Sequence, residues 1–203
     1  MLPEGIQRYF VDKTFRKEVD EWKKAGKPIP PPHPVKQAII ESYQEKHHIR
    51  VFIETGTLYG NTIWYQMKNF DRLYSIELSE ELCEKAKKRF KKQKNISIIQ
   101  GDSGIVLKDI LKKITQPAVF WLDGHYSSGD TAKGEKDCPI IEELNHIFSS
   151  PYKHVLLIDD ARCFTNSGEY KDYPTIPFLK EFILAQKPES TFEVKDDIIR
   201  IEF

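Results

Sequence analysis

The chain has 203 residues, and its 31 basic and 31 acidic side chains cancel, so no global field draws it to nucleic acid or anionic lipid, and a small-molecule partner is favoured. Hydrophobic residues make up 39% and aromatic ones 12%, too many for a disordered chain, while a mean hydropathy of −0.53 is too polar for a membrane protein. No apolar stretch approaches a membrane span, and residues 1–10 lack the apolar core of a secretory signal, so the expected location is the cytoplasm. The cysteines, Cys83, Cys138 and Cys163, are odd in number and lack the close pairs of zinc or disulfide-exchange sites, which predicts reduced, packed thiols.

Residues 4–24 form an aromatic-studded helical stretch in which Ile6, Tyr9, Phe10, Val19 and Trp22 fall at helical spacings, so one face packs onto something else, as in a docked cap. Residues 26–34, Gly-Lys-Pro-Ile-Pro-Pro-Pro-His-Pro, read as an extended, non-helical connector, because proline lacks the donor and restricts its predecessor. Residues 1–34 are thus a helical cap with its connector, and residues 35–203 the main domain. A helix over 35–46 leads into strands at 50–54, 72–77, 96–100, 118–122 and 154–158. Between them lie helices near 60–69, 80–92, 103–113 and 139–148. After a last helix near 175–186, strands at 191–195 and 198–203 meet tightly at Asp196-Asp197 as a hairpin.

Apolar strands alternating with amphipathic helices indicate parallel strands covered on both faces, a doubly wound Rossmann-like α/β fold closed by an antiparallel strand. Ligands in such sheets bind past the carboxyl ends of the strands, and the polar residues worth noticing lie there. After the first strand come Gly56 and Gly60, which permit close backbone approach before a helix start. The loop matches neither the G-x-G-x-x-G fingerprint nor a Gly-Lys-Ser/Thr phosphate cradle. Glu77, ending the second strand, is placed to accept hydrogen bonds from ribose hydroxyls. Asp102, after the third, taken alone reads as a helix N-cap; with Glu77 and the glycine loop, an adenosine pocket is the more economical account.

Glu54-Thr-Gly-Thr-x-x-Gly60, Ser75-Ile-Glu77-Leu, Gln100-Gly-Asp102-Ser and Phe120-Trp-Leu-Asp123-Gly-His125 resemble the successive motifs of class I S-adenosylmethionine-dependent methyltransferases, over about residues 35–203. The resemblance implies a seven-stranded sheet with one antiparallel strand. It also implies that Glu54 with Gly56 holds the methionine part, Glu77 the ribose and Asp102 the adenine, with Thr55, Thr57, Gly60, Leu78, Gly101, Ser103 and Asp123 as further cofactor-binding residues. The first motif departs from the family in having Thr55, Thr57 and Leu58 where a fuller glycine-rich loop is usual.

Asp123, Asp159 and Asp160 follow neighbouring strands and together make an oxygen-rich site suited to Mg²⁺. Their positions are similar to those of the metal-dependent small-molecule O-methyltransferases of the catechol and macrolide-sugar (macrocin) types. An Asp-Asp pair after a strand also reads as a turn or a helix cap. His125 is the candidate general base beside Asp123, since its ordinary pKa lies near neutrality. His33 and Lys36 are placed to face the site, and Arg162 to neutralise the acid pair or bind an anionic substrate. Residues 126–137 form a loop suited to closing over substrate, with 164–173 a second wall.

These readings converge on S-adenosylmethionine-dependent, metal-assisted O-methylation of a small hydroxylated molecule such as a sugar or glycosylated metabolite, with neither nucleic acid nor membrane as partner. The alternatives are an NAD-dependent oxidoreductase, which shares the strand-two acid, and a non-catalytic nucleoside-binding module. The cap covers its own site or, in a homo-oligomer, a neighbour's.

Overall fold

A computed structural model describes residues 4–124 and 138–203, with side chains from residue 13 onward. Strands β1 (Val51–Thr55), β2 (Arg72–Glu77), β3 (Ile96–Gln100), β4 (Ala118–Leu122), β5 (Val155–Ile158), β6 (Thr191–Lys195) and β7 (Ile198–Glu202) form one seven-stranded sheet in the order β3-β2-β1-β4-β5-β7-β6. The first five pair in parallel, and β7 runs antiparallel to both β5 and β6. The apolar runs of β1, β4 and β5 are buried along their whole length, as strands covered on both faces must be. The two outermost strands, β3 and β6, are partly exposed.

The helices are α1 (Glu4–Lys24), α2 (His33–His47), α3 (Asn61–Gln66), α4 (Glu80–Phe90), α5 (Ser103–Leu111), α6 (Ile140–Phe148) and α7 (Ile176–Gln186). One face of the sheet packs Phe52, Leu73, Val119 and Trp121 against Ile40 of α2 and Ile63 of α3. The other packs Ile53, Phe120, Leu156 and Ile158 against Leu107 of α5, Leu144 of α6 and Leu179 of α7. Alternation along each strand sends successive side chains to opposite layers, so β1 delivers Glu54 to one face of the sheet and Thr55 to the other. Ser79 and Thr175 cap α4 and α7 by accepting from Leu82 N and Phe178 N, both at 3.3 Å. The hairpin turns on Asp196 and Asp197 at φ +53° and +61°, left-handed conformations that Asp tolerates and a two-residue turn requires.

Several boundaries differ from the sequence reading. The connector is shorter than expected: α2 begins at His33 and includes Pro34, because a proline in the first turn gives up an N–H that has no intrahelical acceptor there. β1 runs from Val51 to Thr55, with Thr55 paired to Ile76 and Leu122. α3 stops at Gln66, and a turn closed by Asn69 N donating to Gln66 O (2.8 Å) replaces its expected last residues.

The C-terminal half of α1 docks on the same layer as α2. Trp22 is buried and donates its indole N–H to Pro28 O at 2.8 Å, while the Phe15 ring stacks on Tyr65 at 5.0 Å. The side chains of Ile6, Tyr9 and Phe10 lie outside the described residues. Among the described residues no helix is long and apolar enough to cross a membrane. Cys83, Cys138 and Cys163 are free and buried.

Candidate active site at the carboxyl edge of the sheet

Glu54 faces Ser75, its register partner on β2. Ser75 Oγ donates to Glu54 Oε2 (2.6 Å) and shares a 2.5 Å hydrogen bond with Thr57 Oγ1. Burial pushes the Glu54 carboxyl up to about 8; hydrogen bonds from Ser75 and Thr62 oppose the rise, and the Asp123 and Glu77 carboxylates add to it. Thr55 Oγ1, on the other face, accepts from Asp123 N (3.3 Å) and Gly124 N (3.1 Å). The loop between β1 and α3 therefore lies directly against the start of the loop after β4.

Gly56 is required at that contact. Its φ is +85°, and a Cβ there would sit 2.4 Å from the Asp123 carbonyl oxygen. The turn next places Leu58 at φ +48°, an uncommon conformation for a bulky residue that aims its N–H at Glu77 Oε2 (2.7 Å). Gly60, at φ +71°, immediately precedes α3, and a Cβ there would meet the Phe90 ring at 2.7 Å.

Glu77 is buried, and its other oxygen, Oε1, accepts from Ser79 N at 2.9 Å. A carboxylate oxygen has two acceptor positions, so backbone donors orient Glu77 while leaving it capacity for a ligand. Leu78 O accepts from Gln100 Nε2 (3.1 Å), and Gly101 N donates to Glu77 O (2.9 Å), which brings the ends of β2 and β3 together. Asp102 caps α5, its Oδ1 accepting from Gly104 N at 2.8 Å. Ser103 is buried behind it.

Glu143 of α6 was not singled out from sequence. It is buried beside Ser103 and Thr55; burial pushes its carboxyl up to about 7 against their hydrogen bonds, and its Oε1 has no hydrogen-bond partner. The signal was present: Ile140, Glu143, Leu144 and Ile147 make one buried helical stripe, so an acid stands on an apolar face.

Asp123, Asp159 and Asp160 do converge, their nearest carboxylate oxygens all within 4.8 Å of one another. Burial pushes Asp123 up to about 7, Lys36 opposing the rise and Asp160 adding to it. Burial together with Asp123 likewise raises Asp159. The cations expected nearby are there. Lys36 Nζ donates to Asp159 Oδ2 and lies 3.5 Å from Asp160 Oδ1, and Arg162 Nη1 donates to Asp160 Oδ1 at 2.7 Å and to Asp197 Oδ2. Asp197, read from sequence only as a hairpin residue, also accepts from Arg162 N at 2.8 Å through Oδ1 and so fixes the arginine. The three carboxylates have the right chemistry for Mg²⁺. However, the Lys36 ammonium already holds oxygens of Asp159 and Asp160, and the centre as arranged does not fit a resident ion beside it.

A cleft of about 340 Å³ opens over this centre, between Pro30 and Pro31 of the connector, His33 and Lys36 of α2, and Asp123. Burial and the neighbouring Lys36 charge lower the His33 pKa. His125 and the loop 126–137 lie outside the described residues. The expected second wall is corrected at its ends: Phe164 and Tyr173 are buried in the core, packed edge to face at 5.5 Å.

The raised carboxyls predict a pH dependence of stability. Glu54 and Glu143 ordinarily titrate at 4.5 and are raised to about 8 and about 7, so between those values the folded chain binds more protons than the unfolded one. Stability therefore falls as pH rises through that window. In urea denaturation from about pH 5 to about pH 8, the midpoint is expected to drop, and Glu143→Gln to flatten the drop. An equal slope in the variant would mean that Glu143 ionises in the fold as it does in water.

No family model matches the sequence, and no curated protein does. Solved structures do match. A candidate caffeoyl-CoA O-methyltransferase from Staphylococcus aureus superposes with a TM-score of 0.61 at 14% identity, over 98% of this chain and 99% of that one. An O-methyltransferase from Bacillus cereus bound to S-adenosylhomocysteine gives 0.57 at 15%, over 98% and 96%. The O-methyltransferase TomG from Streptomyces achromogenes, involved in tomaymycin synthesis and bound to S-adenosylmethionine, gives 0.56 at 15%, over 100% and 99%. The chain has the fold of the class I methyltransferases: a seven-stranded, mostly parallel sheet with β7 antiparallel and inserted between β5 and β6.

Proposed function

We propose that the protein is an S-adenosylmethionine-dependent methyltransferase that methylates a hydroxyl group of a small molecule, such as a sugar or glycosylated metabolite. The observation that supports this best is the charge at the carboxyl edge of the sheet. Asp123, Asp159 and Asp160 converge there against Lys36 and Arg162, Glu54 feels the charges of Asp123 and Glu77, and burial pushes Glu54 and Asp123 up to about 8 and about 7, so that a cation bound beside them favours their ionised forms. An excess of buried acid favours a cationic ligand and opposes an anionic one. S-adenosylmethionine carries a sulfonium, whereas the pyrophosphate of NAD is doubly negative. The antiparallel β7 also departs from the usual dinucleotide-binding sheet, and both facts disfavour the oxidoreductase reading.

When bound, S-adenosylmethionine supplies a methyl group activated by its sulfonium. In this reading Glu54, Thr55, Gly56, Thr57 and Gly60 shape the pocket for the methionine part. Glu77, already oriented by Leu58 N and Ser79 N, accepts from the ribose diol, and Leu78, Gly101, Asp102 and Ser103 frame the adenine. The acceptor molecule lies in the cleft over Lys36, and Asp123, with His125 beyond it, takes the proton of its hydroxyl. The divalent ion expected from the sequence has no part in this reading, because the carboxylates that would hold it already bind Lys36.

Binding tests this preference for a cationic ligand. S-adenosylmethionine has one positive charge more than S-adenosylhomocysteine, and ionising Glu54 and Asp123 favours that charge. The ratio of the two affinities is expected to rise several-fold in favour of S-adenosylmethionine between about pH 6 and about pH 8.5, measured by calorimetry. A ratio independent of pH would remove these carboxylates from the methyl donor's surroundings.

A further inference from the structure

Lys36 reaches the carboxylate centre from a segment 123 residues before Asp159, and packing holds it there. The connector enters α2 through Pro32 at φ −66° and ψ 155°, which places Lys36 in the first turns of the helix. Its neighbour Gln37 is buried and locks α2 to α3 by accepting from Gln66 Nε2 through both its side-chain oxygen (2.9 Å) and its carbonyl (3.1 Å). The Lys36 side chain is 18% exposed, against 1% for Asp159 and 12% for Asp160. The ammonium is therefore a component of the centre, unlike a surface lysine resting beside it. Asp160 is held from its other side by Arg162, which Asp197 holds in turn.

A divalent ion and an ammonium compete here for the same oxygens. Mg²⁺ and Mn²⁺ require carboxylate oxygens at about 2.0–2.2 Å, and Lys36 Nζ already touches two of the three side chains that would supply them. Entry of the ion would expel the ammonium from its acceptors and leave two like-charged groups close together in a largely buried site.

We infer that Lys36 is a tethered cation standing where a divalent ion would bind, so that the Asp123, Asp159 and Asp160 centre is closed to metal in the intact protein and opens to it when the ammonium is removed. The centre then presents to the cleft an ammonium in place of a metal. An ammonium has three N–H donors, with Asp159 and Asp160 as acceptors for two of them. A charge-assisted donor of this kind holds a substrate oxygen and favours its anionic form. The inference rests on the carboxylate geometry and not on the methyltransferase reading, and its test needs no turnover.

The test is titration of the full chain with Mn²⁺, followed by electron paramagnetic resonance, for the wild type, Lys36→Met, Lys36→Arg and the double variant Lys36→Met/Asp159→Asn. The wild type and Lys36→Arg are expected to show no saturable site below about 1 mM, weaker than most dedicated divalent-ion sites. Lys36→Met is expected to gain one site at least about thirty-fold tighter, and the double variant to lose it again. Lys36→Gln, which keeps a polar group for Asp159, takes the place of Lys36→Met if that variant does not fold by circular dichroism. Wild-type binding within about threefold of the Lys36 variant, or a folded variant that gains no site, would overturn the inference.

Discussion

Asp123→Asn is expected to lower methyl transfer by about 10²–10⁴-fold, the usual range for loss of a positioned proton acceptor, while S-adenosylhomocysteine affinity stays within a few-fold. Asn keeps the size of the side chain, and the backbone contacts that place it, Asp123 N to Thr55 O at 3.2 Å and to Thr55 Oγ1 at 3.3 Å, do not depend on the carboxylate. What is lost is the ability to take a proton. Burial raises this carboxyl to about 7, which matches the acceptor to neutral pH, and the acceptor form is the ionised one. Wild-type turnover should therefore rise between about pH 6 and about pH 8, and the rise should vanish in the variant. Activity within about threefold of wild type would assign the proton to another group.

Gly56→Ala is expected to destabilise the protein by roughly 2–4 kcal/mol, combining a left-handed backbone with overpacking, and to abolish detectable S-adenosylhomocysteine binding. The added methyl would come 2.4 Å from the Asp123 carbonyl oxygen and 2.9 Å from its carbonyl carbon, and neither backbone atom can yield as a flexible side chain would. Relief requires the β1–α3 loop to pull away from the loop after β4. Its other anchors would then move as well: Gly56 N and Thr57 N on Ile76 O (2.9 and 3.2 Å) and Leu58 N on Glu77 (2.7 Å). Urea denaturation and calorimetry of the same preparation separate the two effects. A variant of wild-type stability that still binds would show that the two loops are not rigidly packed together.

Much of the fold was legible because its strands are short apolar runs bounded by clear stops. β2, β3, β4 and β6 fall where the sequence places them. The acids of the site were legible for a topological reason: in a parallel sheet the residues at or just past each strand's carboxyl end arrive at one edge, so Glu77, Asp102, Asp123 and Asp159 line that edge in the strand order β3-β2-β1-β4-β5 whatever their separation in the chain. Boundaries were less so where two rules compete, as at Pro34, where proline's incompatibility with a helix interior yields to its suitability in the first turn.

What sequence could not give is which charged groups meet. Lys36 was placed facing the site, but nothing local says that it takes two of the oxygens proposed for a metal. That depends on α2 being locked to α3 through Gln37 and Gln66. Asp197 looked like turn chemistry, which it is, and only the pairing of β7 with β5 brings it to Arg162. Glu143 carried a readable sign, an acid on a buried stripe, yet its neighbours Ser103 and Thr55 lie on elements far away in sequence.

The acidic edge of the sheet is expected to bind the methyl donor's nucleoside and not a dinucleotide. The most direct test is calorimetric titration of purified, cofactor-free protein with S-adenosylhomocysteine, and separately with NAD. Saturable binding of S-adenosylhomocysteine, with none of NAD at the same concentrations, is the result expected. Binding of NAD alone, or of neither by a protein shown to be folded, would rule out a methyl-donor site at this edge.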